Sequence, residues 1–227
     1  MKRIGIVGGL GPEATVDYYR IMIEDCRKRT GGRVPEIIIY SVDVKDFPGI
    51  DQRSKIVEWL GVAINALQRA GADFAALTAN TPHVVFDEVA AKSPIPLISI
   101  VEETRRVVQD QGLKNVGLLG TKVTMSSDFY ARAFAEHDIS IVVPTEQEQD
   151  YVNKKLFKEI MFNRIIEDTR QGLLAIIKRM IERHSIEAVI LGCTELPLIL
   201  TGDAFGISLL NTTKIHAESL VRYCMEK

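Results

Sequence analysis

Cys193 is the residue of this chain whose neighbours best equip it for chemistry. It lies in Val189-Ile190-Leu191-Gly192-Cys193-Thr194-Glu195-Leu196-Pro197, where an apolar run ends at a thiol and a hydroxyl and a carboxylate follow. Pro197 then suits the first turn of a helix. Amides at a helix start lower a thiol pKa, so the expected form is a thiolate, a base that becomes an acid once protonated. An earlier segment has the same shape: Phe74-Ala75-Ala76-Leu77-Thr78-Ala79-Asn80-Thr81-Pro82-His83, with Ala79 where the thiol would stand. Two such segments on opposite walls of one cleft would serve two-sided acid/base chemistry, yet only one carries a thiol. Cys26 and Cys224 fall inside helical patterns and read as small buried hydrophobes.

Other polar residues cluster at the expected strand ends. Asn80, Thr81, Thr121 and Thr124 are helix-capping types that also suit a carboxylate ligand. The run Gly8-Gly9-Leu10-Gly11-Pro12-Glu13-Ala14-Thr15 formally matches a dinucleotide fingerprint. Pro12 and Glu13 put a rigid ring and a carboxylate where a pyrophosphate would lie. The better reading is a tight glycine turn into a helix whose first amides hold a substrate carboxylate. His83 and His216 are candidates for the cleft edge, whereas His184 reads as a helix-end residue. No spacing supports a metal site.

These residues need a scaffold, and the hydropathy pattern supplies one. Strands are expected at Ile4–Val7, Ile37–Val42, Phe74–Leu77, Leu97–Ile100, Val116–Leu119, Ile139–Val143, Ala188–Leu191 and Ile207–Leu210. Most are continuously apolar, as in parallel strands covered on both faces. Between them run helical patterns such as Ile56, Trp59, Leu60, Ala63, Ile64 and Leu67. The alternation predicts an α/β fold. Ile4-Gly5-Ile6-Val7-Gly8-Gly9 also resembles Val116-Gly117-Leu118-Leu119-Gly120-Thr121, at nearly the offset relating Ala79 to Cys193. Two matching pairs predict a duplication: two pseudo-symmetric Rossmann-like lobes, each with a parallel sheet of about four strands flanked by helices. The expected division is residues 1–99 plus 211–227 for the first lobe and 100–210 for the second. Ligands of open parallel sheets bind beyond the carboxyl ends of the strands, where both motifs fall.

Lys+Arg is 28 against Asp+Glu 30, so no basic surface invites nucleic acid. No apolar run approaches the roughly 20 residues that span a bilayer. Met1-Lys2-Arg3 leads straight into a strand, which predicts a cytoplasmic protein without a signal peptide. Three widely spaced cysteines form no disulfide framework.

The glycine turn, the Asn80-Thr81-Pro82-His83, Leu119-Gly120-Thr121 and Ile215-His216-Ala217-Glu218 blocks, and the Gly192-Cys193-Thr194-Glu195-Leu196 motif together resemble the aspartate/glutamate racemase family over nearly the full chain. That resemblance implies pyridoxal-independent racemisation of an amino acid, no cofactor and a homodimer. In the family one thiolate removes the α-proton and a second thiol protonates the other face. Carried over, Cys193 is the retained acid/base. Asn80, Thr81, Thr121 and Thr194 hold the α-carboxylate, with Glu13 and Thr124 shaping the site. Ala79 replaces the first cysteine, leaving Thr78 as the neighbouring hydroxyl. Racemases devoted to aspartate carry an arginine after the second strand; here only Arg53 offers a substitute, and Asn211 stands where many relatives have aspartate. Both departures argue against aspartate as a dedicated substrate. Two alternatives stay open. One is a one-cysteine lyase resembling arylmalonate decarboxylase, and the other a non-catalytic binder of a small carboxylate.

Overall fold

A computed structural model of the chain describes residues 1–226. Among them, eight strands and nine α-helices form two compact units. One comprises Met1–Glu103 with the segment from Thr213 onward, the other Thr104–Thr212.

In the first unit, β1 (Ile4–Gly8), β2 (Ile37–Ser41), β3 (Phe74–Leu77) and β4 (Leu97–Ile98) pair in parallel in the order β2-β1-β3-β4. Alternate residues of the central strands feed two cores, which is why β1 and β3 read as unbroken apolar runs. Val7, Ala75 and Leu77 pack with α2 (Arg53–Arg69), while Ile4, Ile6, Phe74 and Ala76 pack with α1 (Pro12–Thr30) and α9 (Thr212–Met225). On α2 the buried stripe is Ile56, Leu60, Ala63, Ile64 and Leu67, at helical spacing. Each large side chain there contributes about 1.5–3 kcal/mol by leaving water, and Leu60→Ala would cost about 2–5 kcal/mol. The unit is completed by α3 (Phe86–Lys92), and α4 (Ile100–Asp110) carries the chain onward.

The second unit repeats this plan. Strands β5 (Asn115–Gly120), β6 (Ser140–Val142), β7 (Ala188–Gly192) and β8 (Ser208–Asn211) lie parallel in the order β6-β5-β7-β8. Its helices are α5 (Lys122–Ser126), α6 (Phe129–Ala135), α7 (Glu146–Lys158) and α8 (Glu167–His184). The duplication extends to packing. A Cβ on Gly5 would lie 2.9 Å from the Ala72 Cβ, and one on Gly117 would lie 2.8 Å from the Ile186 Cδ1. In each unit a glycine in the first strand admits the residue that leads into the third.

Each expected strand has its counterpart, with shifts of a residue or so at most ends. The larger correction is at Leu97–Ile100, where the strand stops at Ile98 and Ile100 already opens α4. Ser99 Oγ accepts from the Glu102 amide, and the acidic Glu102 and Glu103 suit a helix N-terminus.

Candidate active site

In the first unit the turn after β1 is held by its own side chains. Gly9 has φ +81, and a Cβ there would lie 2.0 Å from the Val42 carbonyl oxygen, so only glycine fits. The Thr15 hydroxyl accepts from the Gly9 amide at 2.9 Å and donates to the Gly11 carbonyl at 3.1 Å. Gly11 caps α1 and Pro12 opens it. Glu13 is exposed in the first turn, where its carboxylate complements the helix dipole. Arg53 starts α2 half-exposed and forms an ion pair with Glu88, so its charge is already answered within the unit.

Beyond β3 the chain turns through Ala79 and Asn80 into a short 3-10 helix, Thr81–Val85. Asn80 is buried, whereas Ala79 and Thr81 retain partial exposure. The Thr78 hydroxyl is fully buried and donates to the Val7 carbonyl at 2.9 Å, within the sheet. A proton given to a buried backbone oxygen is poorly available for transfer while that bond is made, and the bond ties the end of β3 to β1.

His83 and His216 also differ from expectation. Both are buried, so neither lines an open edge through its own surface. His83 Nε2 accepts from the Ile100 amide at 3.3 Å, and its Nδ1 lies 3.0 Å from the Ala79 carbonyl oxygen. His216 Nε2 lies 3.0 Å from the Ile98 carbonyl oxygen, and its Nδ1 is 2.7 Å from the Tyr18 hydroxyl. Burial depresses the pKa of His83 to about 4 and that of His216 to about 3, so both rings are neutral at pH 7.

In the second unit, β5 and β7 end side by side. A Cβ on Gly120 would lie 2.8 Å from the Gly192 carbonyl oxygen, so two glycines let these strand ends meet. Thr121 caps α5 by accepting from the Thr124 amide, and the two hydroxyls lie 3.0 Å apart. Cys193, Thr194 and Glu195 follow β7 directly and are all buried. The Cys193 thiol donates to Glu195 Oε2 at 3.0 Å, and the Thr194 hydroxyl donates to the same oxygen at 2.8 Å.

This triplet corrects the expected ionisation of the thiol. Burial, and then the charge and hydrogen bond of Glu195, push the Cys193 pKa well above its ordinary value. The amides of Glu195 and Thr194 act in the anticipated direction but are outweighed. The following helix is only the 3-10 turn Leu196–Leu198, too short to supply a full helix dipole. The resting group is therefore a thiol already in line with a carboxylate. Glu195, like Thr15, was not among the expected site residues; its signal was the Cys-x-Glu spacing, which brings a carboxylate back onto the sulfur in one tight turn. Among the described residues, no group of three or more His, Cys, Asp and Glu is arranged to hold a metal ion.

Fold and site together define a duplicated α/β protein with a thiol–carboxylate pair at the carboxyl end of a central strand. Residues 7–220 match the family model for Asp/Glu/Hydantoin racemase, and the chain belongs to that family. Among its relatives, the broad specificity amino-acid racemase RacX of Bacillus subtilis (strain 168) is 28% identical over 224 residues, covering 96% of each chain. The structure of an aspartate racemase homologue from Pyrococcus horikoshii OT3 matches with a TM-score of 0.87 and 38% identity over 100% of both chains. Picrophilus torridus aspartate racemase matches with a TM-score of 0.79 and 25% identity, over 100% of this chain and 96% of that one.

Proposed function

We propose that this protein is an amino-acid racemase-family isomerase that moves the α-proton of an amino acid without pyridoxal, with Cys193 as its acid/base. The observation that carries this reading is the Cys193–Glu195 hydrogen bond in a member of the racemase family. An α-proton is too weakly acidic for a neutral thiol to remove, so the thiol must first lose its own proton. Glu195 Oε2 is within reach to take it. The thiolate so formed is stabilised by the amides of Thr194 and Glu195, removes the α-proton and can return it. Negative charge that develops on the substrate carboxylate is met by amides and hydroxyls at the strand ends. Asn80 and Thr81 in the first unit and Thr121, Thr124 and Thr194 in the second are the residues assigned to that task.

With Ala79 at the counterpart position and the Thr78 proton bound to Val7, one thiol serves one face of the α-carbon. The expected activity is therefore proton exchange faster than inversion. An amino acid is favoured as substrate because the relative in B. subtilis is named for broad specificity among amino acids. Aspartate is not singled out, since the one arginine near that position, Arg53, rests in an ion pair with Glu88 that a side-chain carboxylate would have to displace.

A second reading draws on the same thiol. A cysteine that rests protonated is suited to deliver a proton to a carbanion made by loss of carbon dioxide, and such a lyase needs only one thiol. The assay that decides is deuterium incorporation at the α-carbon in heavy water, using L- and D-amino acids with wild type and Cys193→Ala. Exchange that requires Cys193 supports the isomerase. No exchange, with carbon dioxide released from a malonate-type acid, replaces it with the lyase.

A further inference from the structure

His83 lies outside the groups assigned above, yet its ring is tied directly to the turn that carries Asn80 and Thr81. The Ile100 amide can only donate, so His83 Nε2 must present its lone pair. A neutral ring then carries its proton on Nδ1, which donates to the Ala79 carbonyl at 3.0 Å. Phe86 stacks on the imidazole at a centroid distance of 4.8 Å and an interplanar angle of 5°, so the ring plane is fixed as well. Three elements thereby meet at one side chain: the turn after β3, the start of α4 and the first residue of α3.

The peptide joining Ala79 to Asn80 is planar and trans. In such a unit the carbonyl and the following amide point in opposite directions. Holding the Ala79 oxygen on Nδ1 therefore also fixes the direction of the Asn80 N–H, away from His83. Resting on the racemase reading above, we propose that His83 is a positioning residue: by holding the Ala79–Asn80 peptide it sets the turn that carries Asn80 and Thr81, the residues assigned to the substrate α-carboxylate. Charge builds on that carboxylate as the α-proton leaves, so the placement of this turn matters chiefly in the transition state.

Two variants separate the bonds of the ring. Asn places an amide nitrogen where Nδ1 stands, and Gln places an amide oxygen where Nε2 stands. His83→Asn keeps the donor to Ala79; His83→Gln keeps the acceptor for Ile100 and loses the donor. For deuterium exchange with a mixture of L-amino acids, His83→Gln is expected to lower kcat per folded molecule by roughly 100-fold with KM changed less than about threefold. His83→Asn is expected to recover all but about fivefold of the wild-type value. Equal losses in the two variants, or a loss that follows only the folded fraction, would overturn the proposal. A second readout needs no turnover, so it decides even if wild type exchanges nothing and the racemase reading falls. Ring-nitrogen NMR of wild type should show the Nδ1–H tautomer, and the Asn80 amide resonance should move in His83→Gln and stay near its place in His83→Asn. An Nε2–H tautomer, or an Asn80 amide indifferent to His83→Gln, sinks the proposal whatever the enzyme does.

Discussion

Acidification from about pH 8 to about pH 5 should weaken the first unit by about 4 kcal/mol through two histidines alone. In an unfolded chain each takes up a proton near 6.5, whereas in the folded unit they do so only near 4 for His83 and near 3 for His216. The main cause in both is burial, and the proximity of the two rings adds to it for His216. Between these values the unfolded state binds more protons than the folded one, so stability is full above 6.5 and falls as the pH drops below it. At pH 5 each ring stands about 1.5 units below its unfolded pKa and still above its folded one. One unit is worth about 1.4 kcal/mol, so the loss is about 2 kcal/mol per ring. Glu148, Glu159 and Glu187, whose pKa values are lowered in the folded state, begin to lose their contributions only below about 4.5, outside this window. Urea unfolding at fixed ionic strength can be followed through Trp59, the single tryptophan, which lies in the first unit beside Phe47. His216→Gln should halve the pH-dependent loss to about 2 kcal/mol, whatever its effect at neutral pH. A Trp59 transition whose free energy stays within about 1 kcal/mol from pH 8 to pH 5 would refute the reasoning.

Other consequences are open to equally direct tests. Ala79→Cys should raise the rate of inversion relative to exchange by at least about tenfold, read as circular dichroism loss against deuterium uptake; an unchanged ratio would remove position 79 from the chemistry. Glu195→Gln removes the carboxylate that both raises the Cys193 pKa and receives its proton. The pH midpoint of Cys193 alkylation should therefore fall while exchange slows by about 100-fold, and a midpoint that rises would contradict the electrostatic account. Gly9→Ala should cost more than about 3 kcal/mol, because a positive φ and a backbone oxygen at 2.0 Å both oppose a side chain. Gly31→Ala, also at positive φ but with open space around it, should cost only about 1 kcal/mol, both variants being measured by the urea unfolding described above.

Much of this protein was legible in its residues because the signals were local. A strand buried on both faces must be apolar throughout, so Ile4–Gly8 and Ala188–Gly192 announced themselves. The repeated glycine and strand-end motifs revealed the duplication, and the motif set around Cys193 pointed to the racemase family that the comparisons show. Strand ends blurred where a cap competed, as at Ser99, because capping depends on which amide a side chain reaches.

Tertiary structure decided what depends on burial and on partners distant in sequence. No spacing announced that the Thr78 hydroxyl would be taken by Val7, or that His83 would join Ala79 to Ile100. Sequence named Cys193 as the reactive thiol because a motif is a matter of residue type and order. Its protonation is a matter of desolvation and of where the Glu195 oxygens come to rest, and those are set only when the chain has folded around them.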